Sequence, residues 1–325
     1  MIMKKVLLVL IALVATVYVN AQQIAVVKGS ETKLYSSLKD AINGAEDGSV
    51  VYLPGGGFPI ADSDTIKKKL TIIGISHKAN SDNADGSTRI VGNLFFGMGS
   101  SGSSIMGCYL SGNINIGDKN NIINDISIKY CNINALYVKN ASCNRIEINQ
   151  NYIRGVGSFA KSNPIITNNV LNYLDQISGA TIKNNFIVGG DKNGYSMTYI
   201  YTSEIIDNII FSSSGMAQWD IKDCQIIGNV LRSGSFGYES IAVADLEKKF
   251  VKNAGISSQS DFHFNEEFKK TEEYKKCEGK GIYGGTGFSD GALPPVPYIS
   301  DCDVDEQTDA EGKLNIRIKV KAVTE

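Results

Sequence analysis

Seven times between Ile105 and Leu231 the chain repeats one arrangement of apolar and polar positions, Ile-x-x-(Asn or Cys)-x-(Ile or Leu). The first apolar position is Ile105, Ile128, Ile148, Ile166, Ile182, Ile205 and Ile226; the second is Leu110, Ile133, Ile153, Leu171, Ile187, Ile210 and Leu231. The centres are Cys108, Cys131, Asn151, Asn169, Asn185, Asn208 and Asn229. Side chains alternate along a strand, so apolar positions five apart would face opposite ways. Both are apolar in every copy, so the chain must turn a one-residue corner between two short strands. Gly107, Gln150, Asn168, Asn184, Asp207 and Gly228 precede the centres, and Gly and Asn tolerate the left-handed backbone of a sharp corner.

Successive centres are 23, 20, 18, 16, 23 and 21 residues apart. Self-similarity at this period predicts a solenoid whose coils stack one on the next. The centres then form a ladder of side chains hydrogen-bonded along the stack. Two solenoids fit the phrase, a right-handed parallel β-helix and a leucine-rich repeat. The irregular spacing and the Gly/Ser corners favour the β-helix, all-β, over about residues 48–243.

The flanks differ from the coils. Residues 1–21 carry Lys4 and Lys5, an apolar run from Val6 to Val19, and Asn20-Ala21, the layout of a secretory signal peptide. Nothing later reaches the length of a spanning helix. Removing this segment leaves 304 residues and moves the net charge from −2 to −4, which offers no footprint for nucleic acid. Residues 22–47 form a cap. Ser36 or Ser37 starts a helix whose Leu38, Ala41, Ile42 and Ala45 share one face, and Gly48 ends it. Residues 244–293 form a closing segment containing Gly281-Ile-Tyr-Gly-Gly285. Residues 294–325 hold a Pro-rich linker and a strand with Leu314, Ile316, Ile318 and Val320 alternating with polar residues. Such a strand needs a partner, either the β-helix edge, which is favoured, or another envelope protein.

The entry Tyr35–Gly48 followed by Ser-Val-Val-Tyr-Leu-Pro-Gly resembles that of pectin-lyase-like β-helix domains. The closing phrase is similar to that of exported β-helix proteins of Gram-negative envelopes, a mostly uncharacterised family. The resemblance implies a location and a shape more than an activity. Its enzymatic members are polysaccharide lyases and glycoside hydrolases, which need clustered acids, with a basic residue or Ca²⁺ for the lyases.

The coils offer little of that kind. Their acids are Asp118, Asp125, Glu147, Asp175, Asp191, Glu204, Asp207, Asp220 and Asp223, and their arginines are Arg89, Arg145, Arg154 and Arg232. No Asp-Asp or Arg-Arg pair occurs among them, and no catalytic residue is assigned. His77 and His263 lie outside the repeat without evident metal partners, and Asn80–Gly86 lacks the glutamate of a calcium loop, so no metal or cofactor is expected. Cys108 and Cys131 fall on adjacent coils, close enough for a disulfide or for two buried thiols. Aromatic residues are the better ligand signal. Tyr195, Tyr199, Tyr201 and Trp219, with Asp220, sit in or between successive coils, where sugar rings could stack, though tyrosine is also an ordinary strand residue. The resulting expectation is an exported, surface-associated binding or scaffold protein that contacts polysaccharide or another envelope protein. The alternative is a lyase or hydrolase.

Overall fold

The computed structural model describes residues 23–78, 86–140, 142–159, 161–189, 196–211, 218–251, 261–289, 293–304 and 316–321. Residues 1–21, with the expected signal peptide, most of Asn80–Gly86 and Tyr195 lie outside the described residues.

The chain winds into a right-handed parallel β-helix of three strand faces. The first face is made of three-residue strands such as Ser127–Lys129, Glu147–Asn149 and Ile165–Thr167, paired in parallel with their neighbours. In this register Ile72, Ile105, Ile128, Ile148, Ile166, Ile182, Ile205 and Ile226 form one inward column. Neighbouring β-branched side chains stack without gaps and exclude water, which is where most of the stability of such a coil resides.

Each coil then turns a corner. The residue before each centre is left-handed: Gly107, Tyr130, Gln150, Asn168, Asn184, Asp207 and Gly228 have φ between 53° and 68°. The corner takes two residues rather than one, because the centre itself leaves the strand and points its side chain inward. Asn151, Asn169, Asn185, Asn208 and Asn229 are wholly buried. The backbone N–H and Nδ2 of Asn151 both donate to Asn169 Oδ1, at 2.9 and 3.0 Å. The same pair of bonds recurs from Asn169 to Asn185, Asn185 to Asn208, and Asn208 to Asn229. Each Nδ2 also reaches the carbonyl two residues back and an isoleucine carbonyl of the previous coil, as Asn169 does to Thr167 and Ile148 at 2.8 Å. A corner buried on one side thus leaves no polar group unmatched.

Cys131 continues the column, its N–H donating to Asn151 Oδ1 at 2.9 Å. Cys108 and Cys131 are free thiols. Burial pushes Cys131 up to about 12 and Cys108 well above the usual thiol range, so neither ionises near neutral pH.

After the corner comes the second face, two residues per coil: Leu110, Ile133, Ile153, Leu171, Ile187, Ile210 and Leu231 point inward, following Tyr109, Asn132, Tyr152, Val170, Phe186, Ile209 and Val230. A break in register, as between Leu110 and Asn113, leads to the third face. There Ile114, Leu136, Val156, Leu174 and Met197 stack inward.

The N-terminal end is closed twice. A hairpin of Ile24–Lys28 and Glu31–Tyr35 adds to the first face antiparallel to Ser49–Leu53. Helix α1 (Leu38–Gly44), capped by Ser37 Oγ on the Asp40 N–H, lays Leu38, Ala41 and Ile42 over the first coil. Helix α1 stops at Gly44, with Ala45 as its C-cap, so Gly48 belongs to the following turn and not to the helix end.

The closing segment packs on the outside of the second face. Tyr152, Val170, Phe186, Ile209 and Val230 are covered by Val243, Leu246, Phe250, Phe262, Phe268 and Ile282, making a second apolar core. Its path follows the left-handed corners. Gln150 Oε1 accepts from the Ser289 N–H at 2.7 Å, and Asn168 Nδ2 donates to the carbonyls of Ile282 and Gly284 at 2.9 and 2.6 Å. Asn184 Nδ2 donates to Gly279 O at 2.9 Å, and Asp207 pairs with Lys280 at 2.6 Å. A Cβ on Gly284 would lie 1.9 Å from Gly279 O, so this turn of the Gly281-Ile-Tyr-Gly-Gly phrase admits only glycine. The doubled asparagines are thereby accounted for. In Asn168-Asn169 and Asn184-Asn185 the first faces out to hold the closing segment and the second faces in to the ladder.

The tail departs from the expectation of a strand docked on the β-helix edge. Ile316–Lys321 pairs antiparallel with Tyr298–Val304, so its partner is supplied by the tail itself. The alternation that marks the strand is mirrored in its partner by Ile299, Cys302 and Val304, opposite Val320, Ile318 and Ile316, a set too short and interrupted to stand out in the sequence. Leu314 lies outside the described residues.

A candidate ligand-binding face

The third face is where the candidate residues gather, and its backbone explains their exposure. In its later coils one extra residue is inserted in mid-strand. Ser158, Gln176, Tyr199 and Asp220 occupy this position in four successive coils, all left-handed with φ between 53° and 66°. An inserted residue of this kind breaks the inward–outward alternation and turns its own side chain to the solvent side. Tyr199 is accordingly exposed.

Tyr201 and Lys222 are register partners beside that column. The Tyr201 hydroxyl donates to Asp220 Oδ2 at 2.6 Å, and Lys222 Nζ lies 2.7 Å from Asp220 Oδ1. The Lys222 ammonium also sits 5.9 Å from the centre of the Tyr201 ring. The hydrogen bond to Asp220 pushes the Tyr201 phenol up to about 12, while the bonds from Lys222 and Tyr201 hold Asp220 below the usual carboxylate range. Near neutral pH the trio is a protonated phenol, a carboxylate and an ammonium. The backbone places Trp219 beside Asp220, opposite Thr198; its side chain and Tyr195 lie outside the described residues.

Two further tyrosines belong to this face. The Tyr173 ring lies across Gly155, so close that a Cβ there would be 2.3 Å from Cζ, and the Tyr137 ring lies 3.7 Å from the Cβ site of Gly157. Burial, and then its hydrogen bond with Tyr137, push the Tyr173 phenol up to about 12. The sequence reading missed this pair. Its signal was the two glycines inside an otherwise regular strand, a mark of close approach by another group.

The carboxylates of this face are already engaged. Asp175 accepts from Thr198 Oγ1 at 2.5 Å, and Asp220 is held as described. The two stand two coils apart. Among the described residues no three of His, Cys, Asp and Glu come together as a metal site, and no helix is long and apolar enough to cross a membrane. No family model, curated protein or solved structure matches this chain.

Proposed function

We propose that this is an exported β-helix protein that binds glycans along its third face and does not cleave them. The observation that carries this reading is a face that gathers tyrosines while its carboxylates, Asp175 and Asp220, are already held by Thr198, Tyr201 and Lys222. A tyrosine acting as general base needs a lowered pKa, and Tyr173 and Tyr201 are both pushed up to about 12. What such phenols can do is donate hydrogen bonds and present flat faces to sugar rings. Successive coils repeat every 4.8 Å or so, and Tyr137, Tyr173, Tyr199 and Tyr201 are spread over the third face across four coils, the last two on one strand, which offers a polysaccharide several ring contacts on one surface. The basic and apolar layout of residues 1–21 supports export, and the cap and closing phrase support kinship with pectin-lyase-like envelope proteins.

Immobilised neutral and acidic polysaccharides should retain the protein, and Tyr199→Ala should weaken retention at least severalfold with an unchanged melting curve. Release of reducing or unsaturated ends from any of these glycans would overturn the reading in favour of a hydrolase or lyase. Export predicts that the mature protein begins near Gln22; a full-length chain confined to the cytosol would contradict it.

A further inference from the structure

The closing segment covers only part of the second face, and what it leaves open has a distinct character. The outward row of that face runs Arg89, Tyr109, Asn132, Tyr152, Val170, Phe186, Ile209 and Val230 in register. From Tyr152 onward the row is apolar and covered. Where the cover stops, a groove of about 380 Å³ opens, lined by Tyr109, Asn132, Asn134, Tyr152, Arg154 and Asn172, with the backbone at Ile133 and Ile153 as its floor. That volume falls in the range of small-ligand sites.

Among the groove's polar groups, Asn134 donates to Asn113 Oδ1 at 2.8 Å, but three others are uncommitted among the described residues: Asn132, Asn172 and Arg154. Ladder and corner asparagines spend their amides on the fold, whereas Asn132 and Asn172 make no side-chain hydrogen bond among the described residues. Arginines divide in the same manner. Arg145 is paired with Asp125 and Arg232 with Glu247. Arg154 has no carboxylate partner among the described residues, and neither does Arg89, which sits 5.2 Å over the Tyr109 ring at the groove's end. No carboxylate lines the groove. The Arg154 guanidinium, the free amides of Asn132 and Asn172 and an aromatic wall of Tyr109 and Tyr152 form a complementary surface for a ring that bears hydroxyls and a negative charge.

We infer that this groove is a second binding site, separate from the tyrosines of the third face, and that it takes an anionic saccharide whose acid group is held by Arg154. Asn132 and Asn172 meet the ring hydroxyls, and Tyr109 supports the ring face. The aligned guanidinium makes the site selective for charge, and the interaction weakens as salt rises.

The test is titration of the full mature chain with three matched oligosaccharides: one carboxylated, one sulfated, and a neutral counterpart of the carboxylated one. The carboxylated ligand should bind at least about tenfold more tightly than the neutral one, as expected for charge-assisted hydrogen bonds. Arg154→Gln should remove that preference, Arg154→Lys should restore part of it, and Tyr199→Ala on the third face should leave it intact. Arg154 is exposed, so the variants are expected to melt with the wild type; chemical-shift changes at the Asn132 and Asn172 side-chain amides locate the ligand independently of any variant. Preference for the sulfated ligand would identify the acid group as sulfate and still support the site. Equal affinity for charged and neutral ligands, a preference that survives Arg154→Gln, or loss of the preference with Tyr199→Ala would each overturn it. Failure of all three to bind would do the same.

Discussion

At the scale of single residues, the ladder shows how one side chain can hold three coils. Asn169 Oδ1 accepts two bonds from Asn151, and its Nδ2 meets Ile148 O, Thr167 O and Asn185 Oδ1. Replacing Asn169 with Ala strands those groups in a water-free interior, so stability should fall by roughly 2–5 kcal/mol. Asn169→Cys should be the milder change, because Cys131 already fills an equivalent position with its thiol 3.1 Å from the Lys129 carbonyl. Chemical denaturation of both variants checks the order; an alanine variant as stable as the cysteine one contradicts the account. His77 supplies a second case. Its ring lies edge-on to Tyr152 at 5.3 Å, and burial, then the Lys78 charge, lower its pKa to about 3. The unfolded chain takes up a proton near 6.5 and the folded chain does not until about 3. The neutral ring therefore costs nothing above pH 6.5, and stability drains as pH falls from there toward 3, by about 1.4 kcal/mol per pH unit. His77→Phe should flatten the melting temperature across pH 6 to 4 relative to wild type, whatever its effect at pH 8.

At the scale of elements, what the sequence disclosed depends on whether a position demands a particular side chain. The isoleucine and asparagine columns were legible because burial admits few residues there. A second set of left-handed corners was not. Gly102, Asp125, Arg145, Asn163, Gly179, Thr202 and Asp223 stand three residues before the column isoleucines, with φ from 42° to 79°. Each is followed by an inward residue such as Ser103, Ile126, Ile146, Ala180 or Ser203. The flanking strands impose the backbone, and the exposed side chain is free to vary, so no motif appears. Thr202 carries the strain of a β-branched residue in this conformation. Thr202→Asn should raise stability by about 1 kcal/mol; no gain in the denaturation midpoint would mean that its threonine is relaxed in place. The N-terminal hairpin was hidden for another reason, since Glu31–Tyr35 is mostly exposed and lacks an apolar face. On the third face Tyr199, Tyr201 and Asp220 stand out in the sequence by their nearness along the chain, whereas Tyr137 and Tyr173 meet only through a register that runs across coils.

Over the whole molecule, the closing segment turns an open stack into a finished body. Without it, Val170, Phe186, Ile209 and Val230 would form a bare apolar stripe on a stack of parallel strands, a liability for association. The bond set is spread along the coils, so weakening one part should loosen the segment before the coils. Asn168→Ala should speed hydrogen exchange and proteolysis within 279–289 while protection in the first face persists. Simultaneous loss of protection in Ile165–Thr167 would show that segment and coils unfold as one unit.

The same set of contacts has a bearing on how the chain can change its length. Solenoids gain and lose whole repeats easily when each touches only its neighbours, and a coil of sixteen residues, from Asn169 to Asn185, looks ready for duplication. Here Ser289, Gly284, Gly279 and Lys280 are pegged to the corners at Gln150, Asn168, Asn184 and Asp207. The strap is cut to the measure of those coils and acts as a gauge. An inserted repeat would leave its pegs out of step with their holes, so the coil count can drift at the uncovered end but is metered beneath the strap.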